Sequence, residues 1–131
     1  MSNAPSPNAL AHPQCVLLVD DEDETRDMLA ELLGRAGYLV VTAGNGLEAL
    51  DVLLTVRPSL IVLDLQMPIM DGYSFREAQR RAPSLISIPT VVLTGTDYEP
   101  MLDPAIAETL RKPVSSSRLL QAIERHCGNH S

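Results

Sequence analysis

The chain has 131 residues, 45% of them apolar, which suits one compact domain with a core of its own. Aromatics make up only 3%, so that core must be built from Leu, Val, Ile, Ala and Met. A formal net charge of −7 repels phosphate backbones and argues against direct nucleic-acid binding, while no apolar run approaches the ~18 residues that would span a bilayer.

Residues 1–13 show no periodicity and carry three prolines, so they read as a flexible leader ahead of a folded domain over 14–128, with 129–131 as a tail. No basic stretch followed by an apolar one marks a signal peptide. Cys15 and Cys127 are too few and too far apart for a disulfide scaffold and read as reduced thiols of a cytoplasmic protein.

Three short runs are apolar on both faces: Cys15–Val19, residues 60–63 (Leu-Ile-Val-Leu) and residues 90–93 (Thr-Val-Val-Leu). Central strands of a parallel sheet read this way, because helices cover both sides. Leu39–Ala43 is a fourth strand, and residues 108–111, more polar, form a fifth at an edge. Between them, Met28, Leu29, Leu32, Leu33 and Ala36 predict a helix that Gly37 can stop. Leu47, Leu50 and Leu54 predict a second helix ending before Pro58, and a third is predicted over 72–81. Leu119, Leu120, Ile123 and Cys127 mark the last helix, capped by Ser115 or Ser116 and ended by Gly128. Strand and helix alternate, which means right-handed βαβ units. The expected fold is α/β, a flavodoxin-like doubly wound, five-stranded parallel sheet in the order 2-1-3-4-5.

In such sheets ligands bind outside the carboxyl ends of the strands. Asp20 and Asp21 follow the first strand, Asp64 the third, Thr94 the fourth and Lys112 the fifth. Each residue taken alone is ordinary. A strand-end Asp is usually a turn residue or a helix cap, as Asp23 is expected to be at the head of the first helix, and a Lys-Pro is usually a turn. Together they gather three carboxylates, a hydroxyl and an ammonium at one sheet edge. Clustered carboxylates resist ionising together unless some keep a proton or a cation sits among them. Oxygen ligands in small number suit Mg²⁺, which keeps waters and accepts phosphate oxygens. Lys112 offers a point charge and Thr94 a donor, so the set suits phosphoryl transfer to a carboxylate nucleophile.

These residues sit in recognisable motifs. The stretches at residues 19–22 (Val-Asp-Asp-Glu), 63–68 (Leu-Asp-Leu-Gln-Met-Pro), 70–72 (Met-Asp-Gly), 93–95 (Leu-Thr-Gly) and 111–113 (Arg-Lys-Pro) resemble the signature of response-regulator receiver domains. The resemblance spans about residues 14–128, and the 64–72 segment is its most specific part. It implies that Asp64 is the phosphoacceptor and that Asp21, Asp64 and the Gln66 backbone carbonyl contact Mg²⁺. Asp20 would assist through water or by orienting its neighbour. Thr94 and Lys112 would contact phosphoryl oxygens, and the Lys112–Pro113 peptide would be cis. The implied donor is a phosphohistidine on a sensor histidine kinase or histidine phosphotransfer protein. The implied role is a switch in a two-component phosphorelay, without a membrane span and without turnover of a separate substrate. A homodimer is compatible with it.

Two departures stand out. The family usually has an aromatic three residues before the lysine, where this chain has Thr109. The stretch between Thr94 and Lys112 is short and contains Pro100 and Pro104, so a short or irregular fourth helix is expected. The rival reading is a degenerate receiver that binds partners without phosphorylation, against which the full acidic set argues. A hydrolase of the haloacid dehalogenase kind would carry a second Asp two residues after its nucleophile, where this chain has Gln66.

Overall fold

The structure, a computed structural model, describes residues 14–64, 74, 77–79, 81–82, 87–95 and 106–127. Its strands are β1 (Cys15–Val19), β2 (Leu39–Ala43), β3 (Leu60–Asp64), β4 (Thr90–Thr94) and β5 (Ile106–Arg111). They form one sheet of five strands in the order β2-β1-β3-β4-β5, with every pairing parallel. The helices are α1 (Asp23–Arg35), α2 (Gly46–Val52) and α3 (Ser116–His126). Residues 74 and 77–79 are helical as well. Arg81, the last residue of the helix expected over 72–81, is in a turn; the other residues of that helix lie outside the described residues, as do the leader, the tail and the expected short fourth helix.

Strand alternation divides the core into two layers. Val16, Leu18, Leu60, Val62, Val91, Leu93 and Leu110 face one side, where Leu29 and Leu33 of α1 and Leu119, Ala122 and Ile123 of α3 cover them. Leu17, Val19, Ile61, Leu63 and Val92 face the other, against Ala49 and Leu53. Leu33 and Ile123 are fully buried. Cutting either back to Ala should cost about 2–5 kcal/mol, since the cavity left behind collapses only in part.

Several details differ from the sequence reading. Asp23 is the first residue of α1, and the cap position before it belongs to Glu22, which makes no side-chain cap bond. In the α2 region, Gly46, Ala49 and Leu53 turn inward, while Leu47 and Leu54 are exposed. The Asn45 side chain accepts from Glu48 N–H and sets the entry of the helix, and small residues let it lie close to the sheet. Met28, assigned to the α1 stripe, is exposed, and so is Ala36; α1 buries only Leu29 and Leu33. Strand β5 begins two residues earlier than the polar run 108–111, and its register against β4 slips between Thr90 and Val91, which pair with Ile106 and Glu108. The residue between them is thus bulged out, and Ile106 and Glu108 fall on opposite faces despite being two apart. The start of α3 follows expectation, with the Ser115 hydroxyl accepting from Arg118 N–H. Gly37 follows α1 at φ 102, a conformation that suits glycine.

Candidate functional site

The parallel register brings the carboxyl ends of β1, β3 and β4 level, with Val19 beside Leu63 and Asp64 beside Leu93. On β5 the alignment is held by Lys112 N–H, which donates to the Thr94 carbonyl at 2.7 Å. The chain then turns through a cis Lys112–Pro113 peptide, as the resemblance implied.

At this edge Asp20, Asp21, Glu22, Asp23, Asp64 and Lys112 line a polar pocket of about 520 Å³. Asp20, Asp21 and Asp64 each offer a carboxylate oxygen, and these oxygens lie within 4.8 Å of one another. Asp20 and Asp64 are buried and Asp21 is exposed. Lys112 Nζ stands 3.1 Å from Asp64 Oδ2. Thr94 is buried at the adjoining strand end and is not among the residues that line the pocket. Four of the sequence-predicted residues therefore converge, Thr94 flanks them, and Gln66 lies outside the described residues.

Burial pushes the Asp20 carboxyl above its ordinary range. The Glu22 N–H, donating to Asp20 Oδ1 at 2.9 Å, pulls it back down. Asp64 raises it, Lys112 lowers it, and Asp21 adds a smaller rise. Asp20 Oδ2 is buried and has no hydrogen-bond partner among the described residues. An orphaned carboxylate oxygen costs free energy, and a small hard cation bound by oxygens would satisfy it. The residues present thus fit a Mg²⁺ ion, which Asp20, Asp21 and Asp64 would hold.

Sequence reasoning missed two lining residues, Glu22 and Asp23. Their signal was the unbroken acidic run from Asp20 to Glu24, which taken by itself reads as a solvated turn.

Fold and site define a doubly wound α/β module with its acidic cluster at the topological switch point between β1 and β3. The family model of the response regulator receiver domain matches residues 16–124, and the chain belongs to that family. The polar-differentiation response regulator DivK of Brucella anthropi is 28% identical over 121 residues, covering 89% of this chain and 98% of that protein. The receiver domain of a signal transduction histidine kinase from Syntrophus aciditrophicus superposes with a TM-score of 0.81 at 28% identity, over 90% of this chain and 94% of that one. The response regulator TrrA of Thermotoga maritima, solved in complex with Mg²⁺ and BeF, superposes with a TM-score of 0.75 at 29% identity, over 86% and 97%. Receiver domains are signalling modules of two-component systems rather than enzymes acting on a separate substrate. Among the described residues no helix is long and apolar enough to cross a membrane.

Proposed function

We propose that this chain accepts a phosphoryl group on Asp64 from a phosphohistidine of a sensor histidine kinase or histidine phosphotransfer protein. The observation that carries the reading is the Lys112 ammonium 3.1 Å from a buried Asp64 carboxylate that two further carboxylates approach within 4.8 Å. An Asp64 oxygen attacks phosphorus, the phosphorus–nitrogen bond to the donor imidazole breaks, and the imidazole leaves with the electron pair. Lys112 moves from pairing with the carboxylate to pairing with a phosphoryl oxygen, and the Thr94 hydroxyl donates to another. Mg²⁺, held by Asp20, Asp21, Asp64 and the Gln66 carbonyl, would neutralise charge on the transferring group. Water later attacks the phosphorus, the bond to Asp64 breaks, and the carboxylate is restored. The chain would work in the cytoplasm, where both cysteines stay reduced. The Mg²⁺ complex of the similar TrrA supports the metal assignment.

Incubation with a small phosphodonor and Mg²⁺ tests this. Intact mass should rise by one phosphoryl group, removable by alkali, and Asp64→Asn should abolish the rise because an amide is a poor nucleophile. Equal labelling of both proteins would place the acceptor elsewhere. No labelling of either, from small donors or from a phosphorylated partner, would leave a binding module that works without phosphate.

A further inference from the structure

We propose that Arg26 is a positioning residue of the acidic pocket, holding the peptide that joins Asp20 to Asp21 so that both carboxylates meet a divalent cation at a fixed angle. The inference rests on the metal-binding reading above.

Arg26 Nη1 donates to the Asp20 carbonyl at 3.0 Å, and Nη2 donates to Asp23 Oδ1 at 2.7 Å. The Asp20 carbonyl belongs to the planar unit between the two aspartates. Pinning its oxygen fixes the directions in which the two residues leave that plane. The other polar atoms of Asp20 are also held: its N–H donates to the Ala43 carbonyl at 3.1 Å, and Oδ1 accepts from Glu22 N–H. Only the buried Oδ2 is left without a hydrogen bond among the described residues.

The setting of Arg26 separates it from an ordinary helix-surface ion pair. Its side chain is 18% exposed, whereas Arg35, which forms the same kind of pair with Glu31 on the same helix, is 78% exposed. The guanidinium lies against bare backbone at Gly44, where a Cβ would come within 3.2 Å of Nη1 and 3.3 Å of Glu48 Oε1. Glu48 Oε1 is itself fixed, accepting from Gly44 N–H at 2.6 Å. The arginine fork serves two acceptors from one rigid plane, which a lysine ammonium cannot reproduce.

The test is a Mg²⁺ titration of the full chain, with affinity read from the backbone amides of Asp21 and Glu22 and metal-free stability measured separately by denaturant. Arg26→Met should weaken Mg²⁺ binding by about tenfold or more, the range in which loss of an outer hydrogen-bond partner acts on a metal site. A pure charge effect has the opposite sign, because removing a cation near an acidic pocket favours a second cation. Arg26→Lys should fall between the two, and it carries the test if Arg26→Met does not fold. Arg35→Met removes an exposed ion pair outside the pocket lining and should leave affinity within about twofold, whatever it does to stability. Wild-type affinity in Arg26→Lys and in folded Arg26→Met would overturn the inference while leaving the pocket reading intact. So would an equal loss in Arg35→Met, which would assign the effect to any arginine ion pair on the helix. A wild-type chain that shows no response to Mg²⁺ would overturn the pocket reading, and this inference with it.

Discussion

Arg125 Nη2 reaches both carboxylate oxygens of Glu108, at 2.8 and 2.6 Å, and ties the edge strand β5 to the last turn of α3. His126 Nε2 adds a third contact at 2.9 Å. The Arg125 hydrogen bond holds the Glu108 carboxyl below the usual carboxylate range; partial burial opposes the shift, and His126 adds to it. A carboxyl whose folded pKa is depressed contributes stability above its unfolded value, near 4.3, and loses that contribution as pH falls through the folded value. Wild type should therefore be modestly more stable than Glu108→Gln at pH 7, and the gap should close under acid. Denaturant midpoints of the two proteins from pH 7 down to pH 3 check this; a gap that widens under acid would contradict it.

Metal linkage gives a second prediction. A ligand bound only by the native state adds about 1.4 kcal/mol at ten times its dissociation constant. For a domain of this size that is roughly 5 °C in melting temperature. The rise with Mg²⁺ should be present in wild type and mostly absent in Asp21→Ala, whose carboxylate is the exposed member of the cluster. The same rise in both would remove Asp21 from the ligand set.

The central strands were legible because each is apolar on both faces, and the bounds read for Cys15–Val19, and for the edge strand Leu39–Ala43, are those observed. The site was legible for the same reason, since a polar residue ending such a run has nowhere to go but the sheet edge. Amphipathic detail was less so. Leu47, Leu50 and Leu54 make a plausible stripe, yet α2 approaches the sheet through Gly46 and Ala49, because small residues permit close contact. The slip in β5 register has no counterpart in composition, and it is what turns Glu108 toward α3. Arg26 was also invisible. Its i,i+3 spacing from Asp23 signals an ion pair, but the Asp20 carbonyl it holds is backbone and leaves no mark on the sequence.

Cys127 should behave as an inert thiol. It is buried, and burial pushes its pKa up to about 11, with Cys15 adding to the effect. A raised folded pKa gives stability that is complete below the unfolded value near 8.5 and is lost as pH climbs toward the folded one. The loss should not exceed about 1.4 kcal/mol per pH unit for this one proton. Denaturant midpoints should accordingly fall between pH 8.5 and pH 11, and less so in Cys127→Ala. Native Cys127 should also alkylate far more slowly than it does in denaturant. Rapid native alkylation would show that the C-terminal end of α3 opens.

The last prediction concerns how phosphorylation is read out. The resemblance to other receivers leads one to expect an aromatic at the position of Thr109, turning inward when the threonine-position hydroxyl engages the phosphoryl group. Thr109 of β5 pairs with Val92 of β4 and is exposed, and its side chain is too small to act as a two-position gate. A switch still needs an element whose contacts differ between its two states. On β5 the neighbouring contacts are anchored: Lys112 N–H to the Thr94 carbonyl, and Glu108 to Arg125 and His126. Rearrangement should therefore fall on the connections leaving β3 and β4, whose last residues, Asp64 and Thr94, would touch the phosphoryl group. With Mg²⁺ and beryllofluoride as the phosphoryl mimic, amide shifts should be largest in residues 65–73 and 95–104 and small in β5 and on the outer face of α3. Thr109→Ala should leave this pattern unchanged, since the side chain it removes has no part in the switch. Shifts centred on Thr109 and α3, or their loss in Thr109→Ala, would show that the β5 face carries the signal without its aromatic.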